Sequence, residues 1–316
     1  MKIALGIEPI DGPWGGGNQF VKNIRKFLIS NLYDVTFSLE SNNIDIILII
    51  DPRKKKNQNS ISMEEAVNYK KINKKVKIIL RVNECDERKN TNHINQIFIQ
   101  NINFADQVVF VSEWLKNLYV NKGVSTFNIN VIRSAAESKI FYPVSNNIDF
   151  SRPLEIVTHH WSANKNKGFN IYKLLDSYLK IPEIKKNFSF NFIGNKPNFF
   201  YFKNTKYTKP KHGTELADLL RKNHIYITGT INEPAGMHFI EGMSCGLPIL
   251  YIKSGGTTEY CSNYGIDYNE GNLIERLFKI KDNYKSYYQS VSKFQYTDKL
   301  MNTSYIELFK KTLINV

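Results

Sequence analysis

Two glutamates, Glu233 and Glu241, are separated by seven residues in a segment that also contains Pro234 and Gly246. The strand-like residues 225–228 precede this segment, Pro234 fits a helix start and Gly246 fits a helix C-terminal cap. Glu233 is therefore predicted in the entry loop and Glu241 on the helix. Eight residues of helix rise about 12 Å, so the two carboxylates can bind different parts of one elongated ligand. Because helix N-terminal amides favour a phosphate, this segment could hold a sugar, a diphosphate and a ribose.

Two further motifs follow predicted strands. Gly15, Gly16 and Gly17 lie between the first strand and the first helix, where the backbone can approach a ligand and helix amides favour an anion. Their spacing is not that of the dinucleotide-binding fingerprint. Lys167 and Gly168 follow the first strand of the second half, and ligands of open α/β sheets bind at the carboxyl ends of strands. Lys167 can therefore meet a diphosphate, although a flexible turn and a solvated lysine are simpler interpretations of the two motifs.

A dense polar run from Arg81 to Arg88 also follows a predicted strand, and a solvated charged loop explains it equally well. His159 and His160 end the strand before Lys167, where histidines often only pack and form hydrogen bonds. No metal-binding constellation surrounds them, and the chain has no Asp-x-Asp triplet to hold a divalent cation. We therefore expect no metal and no cofactor.

Short apolar strands alternate with amphipathic helical stretches along the chain, which predicts parallel sheets wrapped by helices. The predicted strands are residues 2–7, 44–50, 76–80, 107–111, 156–160, 188–193, 225–228 and 249–252. The periodicity stops around residues 141–153, which contain two prolines and a polar stretch and are typical of a linker. We predict a Rossmann-like domain at 1–147, a second at 148–295 and a terminal helix at 296–316.

The composition indicates a folded cytoplasmic protein. The chain has 316 residues, 42% of them hydrophobic, and no apolar stretch that approaches the length of a membrane span. Its three cysteines show no C-x-x-C spacing. The formal net charge of +14 leaves three explanations open: a lysine-rich composition, docking on the anionic inner face of a membrane, or attraction to nucleic acid. Because no nucleic-acid-binding motif is present, we expect no nucleic acid partner.

The motifs occur in one order along the chain: the glycines 15–17, the segment 134–143, Lys167 with Gly168, the two glutamates and the segment 255–259. In this order, and with Pro-Ala-Gly and Ser-Cys-Gly-Leu-Pro around the glutamates, the chain resembles retaining glycosyltransferases of the GT-B fold. The group it resembles is the GT4-like one, the glycosyl transferases group 1. The resemblance implies an α/β protein of two Rossmann-like domains facing each other across a cleft. A terminal helix that crosses back to the first domain is compatible with that fold.

The resemblance also implies an activity and roles for particular residues. The enzyme would move a sugar from a nucleotide-diphosphate sugar to a hydroxyl of a glycan, glycolipid or other glycoconjugate, with retention of configuration and without a metal. Glu233 would contact the donor sugar, Glu241 the ribose and Lys167 the diphosphate, with Glu233 and Lys167 as the catalytic residues. Backbone amides would complete the donor site at Gly16, Gly17, Gly236, Met237 and His238. Secondary candidates are Arg81, Asn83, Asp86, His160, Ser162 and Glu259.

Two departures from the family pattern keep other functions open. Family members commonly carry an arginine a few residues before the lysine, where this chain reads His160-Trp161-Ser162, and a histidine in the first-domain loop that here begins at Arg81. Diphosphate binding would rest on Lys167 alone or on a residue such as Arg81 or Arg88. The alternatives are an epimerase or phosphorylase of the same fold, an inactive transferase-like binding protein, and a basic module that binds nucleic acid or a membrane surface.

Overall fold

The computed structural model describes residues 1–12, 15–124, 127–144 and 148–314. The chain divides into two compact units, Met1–Ser134 with Asp298–Val316, and Ala135–Thr297. The boundary predicted between residues 147 and 148 falls beside residues 145–147, which lie outside the described residues, and it stays a prediction.

The first unit contains one parallel sheet of six strands among the described residues, in the order β2-β1-β3-β4-β5-β6. The strands are β1 (Lys2–Leu5), β2 (Asp34–Thr36), β3 (Ile46–Ile49), β4 (Lys77–Val82), β5 (Gln107–Phe110) and β6 (Ile129–Val131). The helices are α1 (Gly16–Ser30), α2 (Met63–Ile72), α3 (Asp86–Lys89), α4 (Ile94–Ile102), α5 (Glu113–Val120) and the terminal helix, α13 (Asp298–Ile314).

Apolar strands and capped helices account for this unit. All four residues of β3 are buried, as expected for a parallel sheet covered on both faces. Helix α2 begins with a capping box, in which the Ser62 hydroxyl accepts from the Glu65 amide at 3.2 Å and the Glu65 carboxylate accepts from the Ser62 amide at 2.8 Å. Ser112 caps α5 by accepting from the Leu115 amide.

The terminal helix α13 belongs to the first unit, as predicted. Its Tyr305 ring lies 5.1 Å from the Phe20 ring of α1, measured between centroids. Asn302 donates to the Asn23 side chain of α1 at 2.6 Å. Both tyrosine and asparagine are buried, so the chain returns from the second unit to complete the core of the first.

The second unit repeats the architecture, with six described parallel strands in the order β12-β11-β10-β7-β8-β9. These are β7 (Leu154–His160), β8 (Phe188–Gly194), β9 (Lys206–Thr208), β10 (Ile225–Thr228), β11 (Ile249–Tyr251) and β12 (Gly265–Asp267). Its helices are α6 (Phe169–Tyr178), α7 (Pro182–Asn187), α8 (Gly213–Arg221), α9 (Met237–Ser244), α10 (Thr257–Cys261), α11 (Leu273–Asp282) and α12 (Tyr284–Val291), and a 3-10 turn spans Lys165–Lys167. The predicted pair of Rossmann-like units is confirmed.

Candidate functional site

The second unit brings the predicted donor residues to the carboxyl ends of its central strands. The 3-10 turn with Lys167 follows β7, and the loop with Glu233 follows the neighbouring strand β10. Glu241 lies on α9, as predicted from the position of Pro234. The two short connections at adjacent strand ends are what place Lys167 and Glu233 side by side.

Lys167 and Glu233 form a buried ion pair through Nζ and Oε2. The two residues are only 6% and 3% exposed. Buried charges lose hydration, and a pair of this kind persists because each charge compensates the other. A cation and a carboxylate are thus held together at the sheet edge where ligands of α/β proteins bind.

The backbone around Lys167 explains the Lys-Gly sequence. Asn164 starts the 3-10 turn by accepting from the Asn166 amide at 3.0 Å. Gly168 ends it with φ of +82°, a conformation that glycine adopts without strain. A Cβ at Gly168 would lie 2.3 Å from the carbonyl oxygen of Gly229, at the end of β10. Close approach of the two strand ends therefore requires glycine directly after Lys167.

The loop 254–256 holds the backbone of Glu233 in place. Ser254 Oγ accepts from the Asn232 amide at 2.9 Å, and the Gly256 amide donates to the Glu233 carbonyl at 2.9 Å. Gly255 has φ of +63°, and a Cβ there would lie 2.6 Å from the Glu233 nitrogen. Part of the predicted segment 255–259 therefore supports the loop of Glu233 through its backbone.

Glu241 has a partner that the sequence did not suggest. Its carboxylate lies 2.8 Å from Nε2 of His159, at the end of β7. The other ring nitrogen, Nδ1, lies 3.1 Å from the hydroxyl of Tyr226. Burial raises the pKa of Tyr226 well above its ordinary value, so the hydroxyl keeps its proton. If Tyr226 donates to Nδ1, the N–H of His159 is on Nε2 and faces Glu241. In the sequence, the only sign of this contact with Glu241 is the pair of histidines, His159 and His160, at the end of the strand.

His160 and His238 pack against each other, and the His238 ring also lies near the ring of His159. The ring centroids of His160 and His238 are 4.5 Å apart, and His160 Nε2 lies 2.6 Å from the Tyr172 hydroxyl. His238 Nε2 lies 2.9 Å from the Thr228 hydroxyl. Burial lowers the pKa of His160 well below its ordinary value, and neighbouring His238 and Lys167 add to this lowering. His160 is therefore neutral, and its contacts are those of a packing residue.

The N-terminus of α9 offers backbone amides for an anion. The first backbone amide of this helix that donates to the carbonyl four residues earlier is that of Ile240, which bonds to the Gly236 carbonyl at 3.2 Å. The amides of Met237, His238 and Phe239 precede it. The N-cap residue of this helix is Gly236, which has no side chain to accept from these amides. The helix dipole and these amides favour negative charge between Glu233 and Glu241.

Ser162 and Glu259, the other candidates in this unit, are half-buried. Ser162 Oγ accepts from the Asn164 side-chain amide at 3.0 Å, so it supports the turn before Lys167. Glu259 lies on α10, and its carbonyl accepts from the Tyr296 hydroxyl at 3.1 Å. Both residues contribute contacts within the unit, and their predicted roles toward a ligand stay predictions.

In the first unit, Gly16 and Gly17 form the first turn of α1, whereas they were predicted to lie in the loop before this helix. Pro13 and Trp14 of the same motif lie outside the described residues. A Cβ at Gly17 would meet Ile50 and Asn83 at ordinary contact distances. Asn83 is half-buried at the end of β4. The phosphate-binding role of Gly16 and Gly17 and the role of Asn83 stay predictions.

Arg81 and Asp86 have contacts within the first unit that serve packing and local structure. Arg81 is buried, with its guanidinium carbon 4.2 Å from the Phe20 ring centroid and Nη2 donating to Ser134 at 3.2 Å. Asp86 accepts from the Thr91 hydroxyl at 2.6 Å and from the amides of residues 93, 94 and 95 at 2.9 to 3.0 Å. Burial opposes ionisation of Asp86, but these hydrogen bonds outweigh it and lower its pKa.

Across the residues that the structure describes, no group of three or more His, Cys, Asp or Glu side chains is arranged to hold a metal ion. None of the described helices combines the length and the apolar character that crossing a bilayer requires.

Comparison with known proteins shows which family and which fold this chain resembles. Residues 163–287, all in the second unit, match the model of the family described as glycosyl transferases group 1. Lys167, Glu233 and Glu241 lie within the matched segment. The predicted resemblance to this family is confirmed. No curated protein sequence matches the chain significantly.

Solved structures resemble the chain over nearly its whole length. HepE of Anabaena, in complex with UDP and glucose, is 12% identical with a TM-score of 0.72 over 98% of this chain and 100% of HepE. Sucrose-phosphate synthase of Thermosynechococcus elongatus is 14% identical with a TM-score of 0.71 over 100% of both chains. A glycosyltransferase of Rickettsia africae is 17% identical with a TM-score of 0.62 over 98% of this chain and 85% of its own. At these identities the likeness shows the fold, which is the predicted GT-B fold.

Proposed function

We propose that the protein is a retaining, metal-independent glycosyltransferase that uses a nucleotide-diphosphate sugar as donor. The observation that carries the proposal is the buried Lys167–Glu233 ion pair beside the N-terminus of α9. A cation, a carboxylate and a row of backbone amides at one strand edge correspond to the parts of such a donor. The family match of this segment supports the same activity.

Each part of the donor has a proposed partner in the second unit. Lys167 and the first amides of α9 bind the diphosphate, because both carry positive charge at a site with little solvent. Glu233 accepts hydrogen bonds from the sugar hydroxyls. Glu241 accepts them from the ribose, with its carboxylate oriented by His159. Gly16 and Gly17 keep their predicted role as phosphate-binding amides of the first unit.

The proposed reaction breaks the bond between the anomeric carbon and the β-phosphate oxygen. The acceptor hydroxyl oxygen bonds to the anomeric carbon on the face that the phosphate leaves, and its proton passes to the leaving phosphate. Positive charge develops on the sugar and negative charge on the phosphate, so Lys167 and the α9 amides stabilise the transition state. Glu233 is paired with Lys167 at rest, which supports a positioning role for its carboxylate over attack on the sugar.

The proposal names a first donor to test, a class of acceptor and a compartment. HepE, of the same fold, has been solved with UDP and with UDP-glucose, which makes UDP-glucose the first donor to test. The acceptor is a hydroxyl of a sugar or glycoconjugate. We place the reaction in the cytoplasm, where nucleotide sugars occur. A reducing compartment also agrees with the three buried cysteines, which are free thiols.

The test is release of nucleoside diphosphate. The full chain is incubated with UDP-, GDP- and ADP-sugars and a mixture of simple glycoside acceptors, and both nucleotide and glycan products are identified by mass spectrometry. We expect nucleoside diphosphate and an extended glycoside in equal amounts, with product formation lost in Glu233→Gln, which keeps the shape of the side chain. An altered sugar nucleotide without release would identify an epimerase. Phosphate-dependent release of a sugar phosphate would identify a phosphorylase, and either result would overturn the proposal.

A further inference from the structure

The connection from β8 to β9 and the residues after it form a surface with unusual chemistry. We name residues 195–211 the aromatic-lysine loop. Its backbone is fixed by the buried carboxylate of Asp176, which accepts from the amides of Lys203 and Asn204 at 3.0 and 2.8 Å and from the Thr205 hydroxyl at 2.6 Å. The side chains that this loop presents to solvent are therefore held in a defined arrangement.

Four consecutive aromatic residues in this loop face alternately inward and outward. Phe200 and Phe202 pack against the core of the second unit, with ring centroids 4.9 Å apart. Phe199 and Tyr201 point away and are 93% and 72% exposed. Exposing two large aromatic side chains on a fixed loop forgoes the free energy of their burial. A binding partner outside the chain explains why the loop keeps them.

The same loop is strongly basic. Residues 195–214 contain no aspartate or glutamate and carry five lysines, which are Lys196, Lys203, Lys206, Lys209 and Lys211. The ammonium of Lys196 lies 4.7 Å from the Tyr201 ring centroid, so this cation stands beside the exposed aromatic pair. Lys203, Lys206 and Lys209 are exposed to solvent. The partner is therefore anionic as well as apolar.

We propose that the aromatic-lysine loop docks the protein on the surface of an anionic lipid bilayer. Phe199 and Tyr201 would enter the headgroup region, where aromatic rings are favoured, while the lysines contact anionic headgroups. A single-stranded nucleic acid would need a groove in which bases stack on walls of the protein. A side chain that is 93% exposed, as Phe199 is, has no such wall. The residues of this surface are not among those assigned to the donor, and the inference does not depend on the proposed activity.

The experiment is flotation of the full chain with vesicles of phosphatidylcholine alone or mixed with phosphatidylglycerol. We expect binding to the anionic vesicles only. The triple variant Lys203→Gln, Lys206→Gln, Lys209→Gln should bind about a hundredfold less, from about fivefold for each lysine. The double variant Phe199→Ser, Tyr201→Ser should bind about tenfold less. Each variant should keep the melting temperature and the nucleoside diphosphate release of the native chain in vesicle-free solution.

Matched controls separate this surface from general charge. The triple variant Lys180→Gln, Lys185→Gln, Lys186→Gln removes the same charge from exposed positions elsewhere in the second unit and should bind the vesicles like the native chain. Equal loss in this control would overturn the proposal, as would native protein that stays unbound. A single-stranded oligonucleotide that displaces the vesicles and loses affinity in the loop variants would assign the surface to nucleic acid instead.

Discussion

Each of the two units has a parallel sheet of six described strands, with polar residues after the strand ends, yet the two units use these residues differently. In the second unit, charges from separate connections meet each other: Lys167 pairs with Glu233 and His159 with Glu241. In the first unit, Asp86 meets a hydroxyl and the backbone amides of the next helix start. The buried charges of the second unit contact charges on other connections, whereas Asp86 bonds to the nearby backbone and caps a helix start.

The most disruptive test of this comparison removes one partner of the buried pair. Glu233→Ala should lower transfer by about a thousandfold, the effect of losing a well-placed polar group at a reacting centre. It should also lower the free energy of unfolding by about 3 kcal/mol, because Lys167 would stay buried without this counter-charge. Denaturant unfolding and steady-state kinetics measure the two effects.

The double variant Lys167→Met, Glu233→Met separates stability from activity. Apolar residues of similar volume can replace a buried ion pair without net loss of stability. We expect the free energy of unfolding to return to within about 1 kcal/mol of the native value, while transfer stays undetectable. Recovery of transfer in the double variant would show that the pair serves the fold alone.

The opposite result is expected for Asp86 in the first unit. Asp86→Ala leaves one hydroxyl and three amides without their acceptor, which should lower the free energy of unfolding by about 2 kcal/mol. Transfer per folded molecule should change by less than about twofold, because the residue is assigned a structural role. Asp86→Asn, which keeps one acceptor oxygen, is the matched variant and should be intermediate in stability. Loss of activity at unchanged stability would place Asp86 in a ligand site.

A smaller effect is expected at His159, which orients Glu241. His159→Phe removes the hydrogen bond to the carboxylate and should weaken binding of the nucleoside diphosphate about tenfold, the lower range for a bond to a charged group. The maximal rate should be nearly unchanged, because the ribose lies away from the reacting carbon. His159→Gln can restore the bond and should recover part of the affinity. Titration calorimetry would refute this role if both variants bound like the native chain.

The two units should also respond differently to acid. His160 is neutral in the folded protein because its pKa is lowered by burial, whereas the unfolded chain takes up the proton below about pH 6.5. The second unit should therefore lose stability as the pH falls below this value, by up to about 1.4 kcal/mol per pH unit. Asp86 has a lowered pKa, so its contribution is present above about pH 3.9 and is lost as the pH falls through the lower folded-state value.

Hydrogen exchange of strand amides measures the acid response unit by unit. Amides of β7 and β10 should lose protection at a higher pH than those of β4 and β5. In His160→Asn, the additional slope of the second unit should decrease, and the remainder is expected from His224, whose pKa is also lowered by burial. Equal loss of protection in both sheets over this range would contradict the assignment of a neutral buried His160.

Much of the fold could be predicted from the sequence because long apolar strands carry a clear signal. Residues 225–228 were predicted to their ends, and α9 ends at Ser244, two residues before the predicted C-terminal cap Gly246. The edge strands β2, β6, β9 and β12, each of three residues, were not predicted. A strand this short has too few alternating side chains to be distinguished from a loop, and only its pairing with a longer neighbour defines it.

The sequence predicted those parts of the candidate site whose residues lie close together in the chain. It did not predict the contacts between residues that lie far apart in the chain. The positions of Glu233 and Glu241 follow from one segment, so sequence spacing sufficed. The pairs Lys167–Glu233 and His159–Glu241 join residues that are 66 and 82 positions apart, and only the parallel pairing of β7 with β10 brings them together. The capping role of Asp86 depends on the turn that follows α3, which no periodicity in the run from Arg81 to Arg88 indicates.

The central claim is that the second unit binds the diphosphate of a sugar nucleotide through Lys167. Its most direct measurement is titration calorimetry of the full chain with UDP, GDP and ADP, repeated with Lys167→Met and with the surface variant Lys185→Met. We expect saturable binding of at least one nucleotide by the native chain and by Lys185→Met. Lys167→Met should bind it at least about tenfold more weakly, as loss of a charge-assisted hydrogen bond requires. Equal affinity in Lys167→Met, or no binding of any of the three by the native chain, would contradict the account.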